Sequence, residues 1–190
     1  MESRRDSLIE AAARLLDAGG PAAVTLRDVG RAAGVSHNAP YRHFADKDAL
    51  LAAVASRELA GNTPPEGAQP QAKAMIKAYV AWALRRPERF RLVFGRWNHA
   101  DDTLGDAADD ARSALIEAVK RAQTAGDLPA AEPERLTALL LALAHGAADL
   151  ALSGHLAADG KGQASPQDLV EDLFAYLKTS AGPPRASGSG

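Results

Sequence analysis

Residues 25–51, TLRDVGRAAGVSHNAPYRHFADKDALL, decide the fold. Thr25 stands where a side-chain oxygen can cap a helix, and Leu26, Val29 and Ala33 recur at the spacing of one helical face. Gly34 then supplies a turn. Ser36 reads as a second N-cap, and Asp46 as a third, opening a longer helix that carries Leu50, Leu51 and Val54 inward. Between the last two caps, Ser, His, Asn, Tyr and Arg crowd around Pro40, with neither a nucleophile nor a metal-binding cluster among them. Phe44 and Val35 fall at core positions of the same pattern.

Two short helices separated by a glycine turn, backed by helices that bury their rear faces, have the layout of a helix-turn-helix. That layout gives the polar side chains a task. The N-terminal residues of a recognition helix lie against base edges, so Ser36, His37, Asn38 and Ala39 are placed to read bases or touch phosphate, and an Asn can pair bidentately with adenine. Tyr41 and Arg42 follow on the same flank, while His43 and Lys47 fall where phosphate contacts fix the register. Thr25 and Arg27 complete the predicted DNA-binding set, and Arg4 and Arg5 read as a solvated arm. Pro40 lacks the N–H that would return to the Ser36 carbonyl, which a helix of about a turn and a half can tolerate as a rigid variant.

Outward from this stretch, the periodicity predicts further helices. Leu8, Ile9, Ala12, Leu15 and Leu16 mark a first helix that AGGP ends at Gly19 to Pro21. AGNTPPEGAQP is a Gly/Pro/Asn break and the expected domain boundary. Beyond it, an apolar stripe runs from Ala72 to Leu84, a new helix starts at Pro87, and others cover residues 103–125, 133–153 and 166–178. No alternating strand pattern is found. The expected fold is all-α, with a helix-turn-helix three-helix domain over residues 1–60, a helical ligand-binding and dimerisation domain over 61–180, and a flexible tail over 181–190.

Composition narrows the function classes. The 190 residues are 46% apolar and 24% charged, enough to bury one or two cores. Without cysteine there is no disulfide, thiolate metal site or cysteine nucleophile, and an intracellular, cytoplasmic location fits. His and Asp interrupt the apolar run LTALLLALAHGAADLAL, so no membrane span is expected, and acidic residues among the first twenty argue against a signal peptide. A net charge of −2 does not by itself announce a nucleic-acid partner. Any DNA-binding charge has to be sorted by face, because acids and bases in residues 1–60 match one for one.

Over residues 3–60 the chain resembles the tetracycline-repressor (TetR) family, through TLRDVGRAAGVS followed by YRHFADKDALL. Thr25, Gly34, Val35, Tyr41, Phe44, Lys47 and Leu50 stand in that family's pattern, and Pro40 replaces the commoner Leu or Ile. AYVAWALRRPERFRLVFG and AHGAADLALSGHL resemble an HG-containing subgroup of the family's ligand-binding domains. The resemblance implies a homodimeric transcriptional regulator, usually a repressor, released from a palindromic double-stranded operator by a small-molecule effector. It implies no cofactor and no enzymatic activity.

Tyr79, Trp82, Phe94 and Trp97 concentrate the chain's few aromatic residues, and with His145 and Asp149 they form the expected lining of a mostly apolar effector pocket. His145 and Asp149, four residues apart, put two ligand types on one helix face, but two ligands are not a site and no HExxH, Glu-x-x-His pair or cysteine accompanies His99, His145 or His155, so no metal is expected. Leu139, Leu140, Leu143, Leu173, Phe174 and Leu177 give the last two helices more apolar surface than one small bundle needs, which places the expected homodimer contact there. The rival classes are a helical enzyme using His145 and Asp149 as acid and base, and an adaptor binding a protein through the aromatic stretch.

Overall fold

The computed structural model describes residues 3–95, 97 and 102–180; the predicted tail at 181–190 and His99 lie outside them. The described residues form eight α-helices and no strands, an all-α fold as the periodicity predicted. They are α1 (Arg4–Gly19), α2 (Leu26–Ala32), α3 (Lys47–Asn62), α4 (Ala72–Arg85), α5 (Pro87–Val93), α6 (Asp102–Thr124), α7 (Pro133–Leu152) and α8 (Pro166–Ser180). The chain groups into two compact units, one comprising Met1–Thr63 and Arg86–Ala111, the other Pro64–Arg85 and Arg112–Gly190.

In the first unit the caps sit where the sequence placed two of them. The Thr25 hydroxyl accepts from the Asp28 N–H at 3.1 Å, and the Asp46 carboxylate accepts from the Ala49 N–H at 2.8 Å, each satisfying an N–H that has no partner inside its helix. Gly34 takes the left-handed conformation, φ 67°, that turns the chain after α2. Leu8, Ile9 and Leu16 of α1, Val29 of α2, Phe44, and Leu50 and Val54 of α3 close one core, to which α5 adds Leu92.

The segment after Ser36 differs from expectation. It is not an α-helix but a turn over residues 37–39 followed by a single 3-10 turn, Pro40–Arg42. Ser36 takes part through its carbonyl, which accepts from the Ala39 N–H at 2.9 Å, so its predicted role as a side-chain cap is corrected. With no N–H at Pro40, the i→i−4 bond that would continue an α-helix cannot form, and the tighter i→i−3 pattern replaces it. Pro40 is buried against α2 at Gly30, the one glycine in that helix. Glycine within a helix is about 0.5–1 kcal/mol worse than alanine, so this position is held for a steric reason.

Arg89 of α5 is the first unit's buried charge. Its Nε and Nη2 donate to the two carboxylate oxygens of Asp17 in α1 at 2.9 and 2.6 Å, and its Nη1 donates to Glu58 of α3 at 2.5 Å. Arg86 adds a third bond to Asp17 at 2.9 Å. This fork, together with the burial of Leu92 in the same core, ties α5 to α1 and α3.

The second unit shares one core among α4, α6, α7 and α8, centred on Ile76, Val80, Val119, Leu140, Ala144, Val170 and Phe174. By length and composition alone α7 could cross a membrane. It is instead a core helix, burying Leu136, Leu140, Ala144 and Ala148 within the unit.

Candidate functional site

The exposed rim of the first unit gathers the predicted DNA-reading side chains. Ser36, His37, Asn38, Tyr41, Arg42 and His43 are all exposed, Ala39 and Lys47 half-exposed, and Arg27 projects outward from α2. His37 and Tyr41 meet edge to face with ring centroids 5.9 Å apart, so each restricts the other's rotamers. The Thr25 hydroxyl proton is committed to the Asp28 carboxylate at 2.7 Å, which makes helix capping that residue's visible task.

Arg5 was read as part of a solvated arm; the structure corrects this. Ser3 caps α1, its hydroxyl accepting from the Asp6 N–H at 3.1 Å while its own N–H returns to the Asp6 carboxylate, so Arg4 and Arg5 belong to the first helical turn. The Arg5 guanidinium lies over the Phe44 ring, 5.3 Å from its centroid. Phe44 is buried and adjoins His43. Arg5 is thereby held beside the segment where the predicted phosphate contacts His43 and Lys47 begin, a placement that needed contact between residues 39 positions apart.

Sorting charges by partner resolves the apparent balance of acids and bases. Asp6 pairs with Arg57, Glu10 with Arg14, Asp28 with Arg31, and Asp17 and Glu58 share Arg89. The Ser3 hydrogen bond, with the Ser3 N–H and Arg57 adding to it, holds the Asp6 carboxyl below its usual range. Among the described residues Arg27, Arg42 and Lys47 take part in no ion pair. Five acids of residues 1–63 are thus paired internally, Asp46 and Asp48 beside Lys47 are likewise in no ion pair, and the cations Arg27, Arg42 and Lys47 stay available to an outside anion.

In the second unit Tyr79 of α4 and His145 of α7 share a hydrogen bond, Oη to Nδ1, of 2.9 Å, and the Trp82 ring lies 6.1 Å from that of Tyr79. Burial pushes the Tyr79 phenol above its usual range. Which of the two donates follows the imidazole tautomer. Phe94 and Trp97, predicted to join this set, belong to the first unit, where Phe94 packs on Phe90 and Trp97 against that unit's core. Asp149 is exposed. A separate cleft of about 170 Å³, walled by Pro64, Pro65, Glu117 and Arg121, includes none of the predicted effector residues.

The model of bacterial regulatory proteins of the tetR family matches residues 8–54, and that of the tetracyclin repressor-like C-terminal domain matches residues 72–175, more than half of the chain. The chain belongs to the TetR family. Solved structures agree. A Rhodococcus sp. RHA1 protein of unknown function is 29% identical with a TM-score of 0.78, over 96% of this chain and 97% of that one. A TetR family transcription regulator from Marinobacter aquaeolei VT8 has the same fold at 19% identity and a TM-score of 0.59, covering 94% of each chain. The fatty acid degradation regulator FadR from Bacillus halodurans does so at 13% identity and 0.65, covering 97% of this chain and 98% of that one. No curated protein matches the sequence.

As a TetR-family member the protein is a DNA-binding regulator of transcription and not an enzyme, which sets aside His145 and Asp149 as an acid–base pair. The TetR motif residues identified from sequence divide by task. Val35, Phe44 and Leu50 pack inward, Thr25 caps, Gly34 turns the chain, and Tyr41 and Lys47 remain on the rim. Arg89 and the seat of Arg5 on Phe44 escaped sequence reasoning, because neither residue's partners lie near it in the chain.

Proposed function

We propose that this TetR-family regulator is a repressor that binds a palindromic operator as a homodimer and is released by a small, mostly apolar effector. The observation that carries the DNA-facing part is the sorted charge of the first unit: Asp6, Asp17, Asp28 and Glu58 are paired with its own arginines, while Arg27, Arg42 and Lys47, in no ion pair among the described residues, stand beside the exposed His37, Asn38 and Tyr41. Arg5 joins them as a phosphate contact. Such a partner requires a cytoplasmic protein with access to the chromosome.

The test is selection of sites from random duplex DNA, followed by affinity measurements across salt. Because each neutralised phosphate releases counterion, operator affinity is expected to fall steeply with salt. Lys47→Ala and Arg5→Ala, each removing one contact per subunit, should lower the magnitude of the dimer's salt slope by about 2 and weaken all sequences alike. His37→Ala or Asn38→Ala should cost about 1–3 kcal/mol on the selected site and relax preference at particular bases. A salt-independent affinity would refute the phosphate contacts.

Of the residues expected to form the homodimer contact, Leu140 and Phe174 are buried in the second unit's own core and Leu143, Leu173 and Leu177 pack against it, so the contact is proposed on α7 and α8 through Leu139, with Leu150 and Tyr176, which are 66%, 47% and 68% exposed. A second copy covers such a surface by packing like on like. The effector site is proposed around Tyr79, Trp82 and His145, where an apolar wall meets one hydrogen-bonded pair. A ligand shifts the protein off DNA only by binding the released form more tightly, at about 1.4 kcal/mol per tenfold loss of operator affinity. In a thermal-shift screen of hydrophobic compounds, hits that release the operator should need about tenfold more ligand with Trp82→Ala or His145→Ala, corresponding to about 1.4 kcal/mol. Equal release of both variants and the parent would remove this assignment.

A further inference from the structure

Gly30 is buried in the interior of α2, a position where alanine is the better helix former. A Cβ there would lie 3.0 Å from Pro40 Cγ, 3.4 Å from Pro40 Cδ and 3.8 Å from the Ser36 carbonyl oxygen. The first distance is closer than carbon atoms pack, so the proline ring would have to give. That ring is not free to move alone. Pro40 is buried, and its carbonyl accepts from both the His43 and the Phe44 N–H at 3.0 Å, so a displaced ring carries the rest of the turn with it.

We propose that Pro40, seated on Gly30, is a positioning residue that fixes the non-α shape of the recognition turn and so selects which bases His37, Asn38 and Arg42 can reach. The inference rests on the DNA-binding reading above. An ordinary residue at position 40 would offer an N–H to the Ser36 carbonyl and let the segment wind into an α-helix. Here that carbonyl takes the Ala39 N–H instead, and the Arg42 N–H bonds to Ala39 at 3.2 Å, keeping the tighter winding. A 3-10 turn spaces successive side chains differently from an α-helix, about 120° apart rather than 100°, so the same residues point to different base edges. Pro40 forbids the alternative winding, and Gly30 leaves room for the ring that does so.

The experiment uses the full chain, a site selected by the parent from random duplex DNA, and an unselected duplex of equal length, with Gly30→Ala, Pro40→Ala and the double variant. Gly30→Ala is expected to lose about tenfold on the selected site with the unselected duplex unchanged, since phosphate contacts position without reading sequence. In the Pro40→Ala background, adding Ala at position 30 should change affinity by less than about twofold, because the ring atoms it would strike are gone. Pro40→Ala, put through its own selection, is expected to enrich a site that differs at the bases beneath His37 and Asn38. Three results would each overturn the proposal. They are an equal loss from Gly30→Ala in both backgrounds, a joint weakening of selected and unselected DNA alongside a lowered melting temperature, and enrichment of the parent's own site by Pro40→Ala. If the parent enriches no site, the DNA-binding reading falls first, and this inference falls with it.

Discussion

Replacing Arg89 by alanine is expected to be among the most damaging single substitutions in the first unit. The side chain is 10% exposed, and its two carboxylate partners, Asp17 and Glu58, are 25% and 12% exposed. Removing the guanidinium leaves two acids of like charge in a poorly hydrated site, with Arg86 retained only on the Asp17 side. Breaking a buried ion pair from one side costs about 3–5 kcal/mol, far more than the pair contributes relative to an apolar replacement of the whole cluster. For a chain of this length that corresponds to a melting temperature lowered by roughly 10 °C. Arg89→Lys keeps the charge but cannot fork to two carboxylates and should fall about midway. The decisive comparison is Arg89→Met with Asp17→Asn and Glu58→Gln. Removing the charges together should recover most of the loss, because the penalty lies in uncompensated carboxylates and not in a missing attraction. An Arg89→Ala variant melting within about 2 °C of the parent would show that water reaches the cluster and that the fork is not what holds α5.

The same cluster shows where sequence reading reaches its limit. Helix caps and apolar stripes act over three or four residues, and there the reading was sound: Thr25, Gly34 and Asp46 occupy the positions their chemistry requires, and Leu8, Ile9, Leu16, Leu50 and Val54 face inward. The grouping of residues 86–111 with the first unit depends instead on Arg89 finding carboxylates 72 and 31 positions away. No local pattern encodes that. Pro40 announced an irregularity, but the choice of a 3-10 turn over a kinked α-helix also required the seat at Gly30, ten residues earlier and in another helix. The aromatic residues were legible as a cluster in sequence, yet they fall in different compact units. Tyr79 and Trp82 pack with each other in the second unit, whereas Phe90, Phe94 and Trp97 serve the first.

The other large effect concerns the proposed dimer. If Leu139, Leu150 and Tyr176 are covered by a second copy, the protein carries two recognition turns related by a two-fold axis, and its operator must be an inverted repeat. Half-sites on one face of B-DNA lie about 34–36 Å, or roughly 10 base pairs, apart. Inserting about 5 base pairs between them rotates one half-site to the opposite face of the duplex, where a dimer joined through α7 and α8 cannot reach it. The lost second contact should weaken operator binding by roughly 10²–10⁴-fold, the factor that tethering the two turns supplies. Leu139→Glu separates this from a general loss of DNA contact. Leu139 is 66% exposed in the single chain, so a charge there leaves the subunit folded while burying an unpaired carboxylate in any like-on-like contact. Sedimentation should report the monomer, operator affinity should fall to the level the parent shows on the half-turn insertion, and that insertion should then make no further difference. If the parent bound the two operators equally, each recognition turn would be acting alone. If Leu139→Glu stayed dimeric and kept its sensitivity to the insertion, the two-fold contact would lie on another surface.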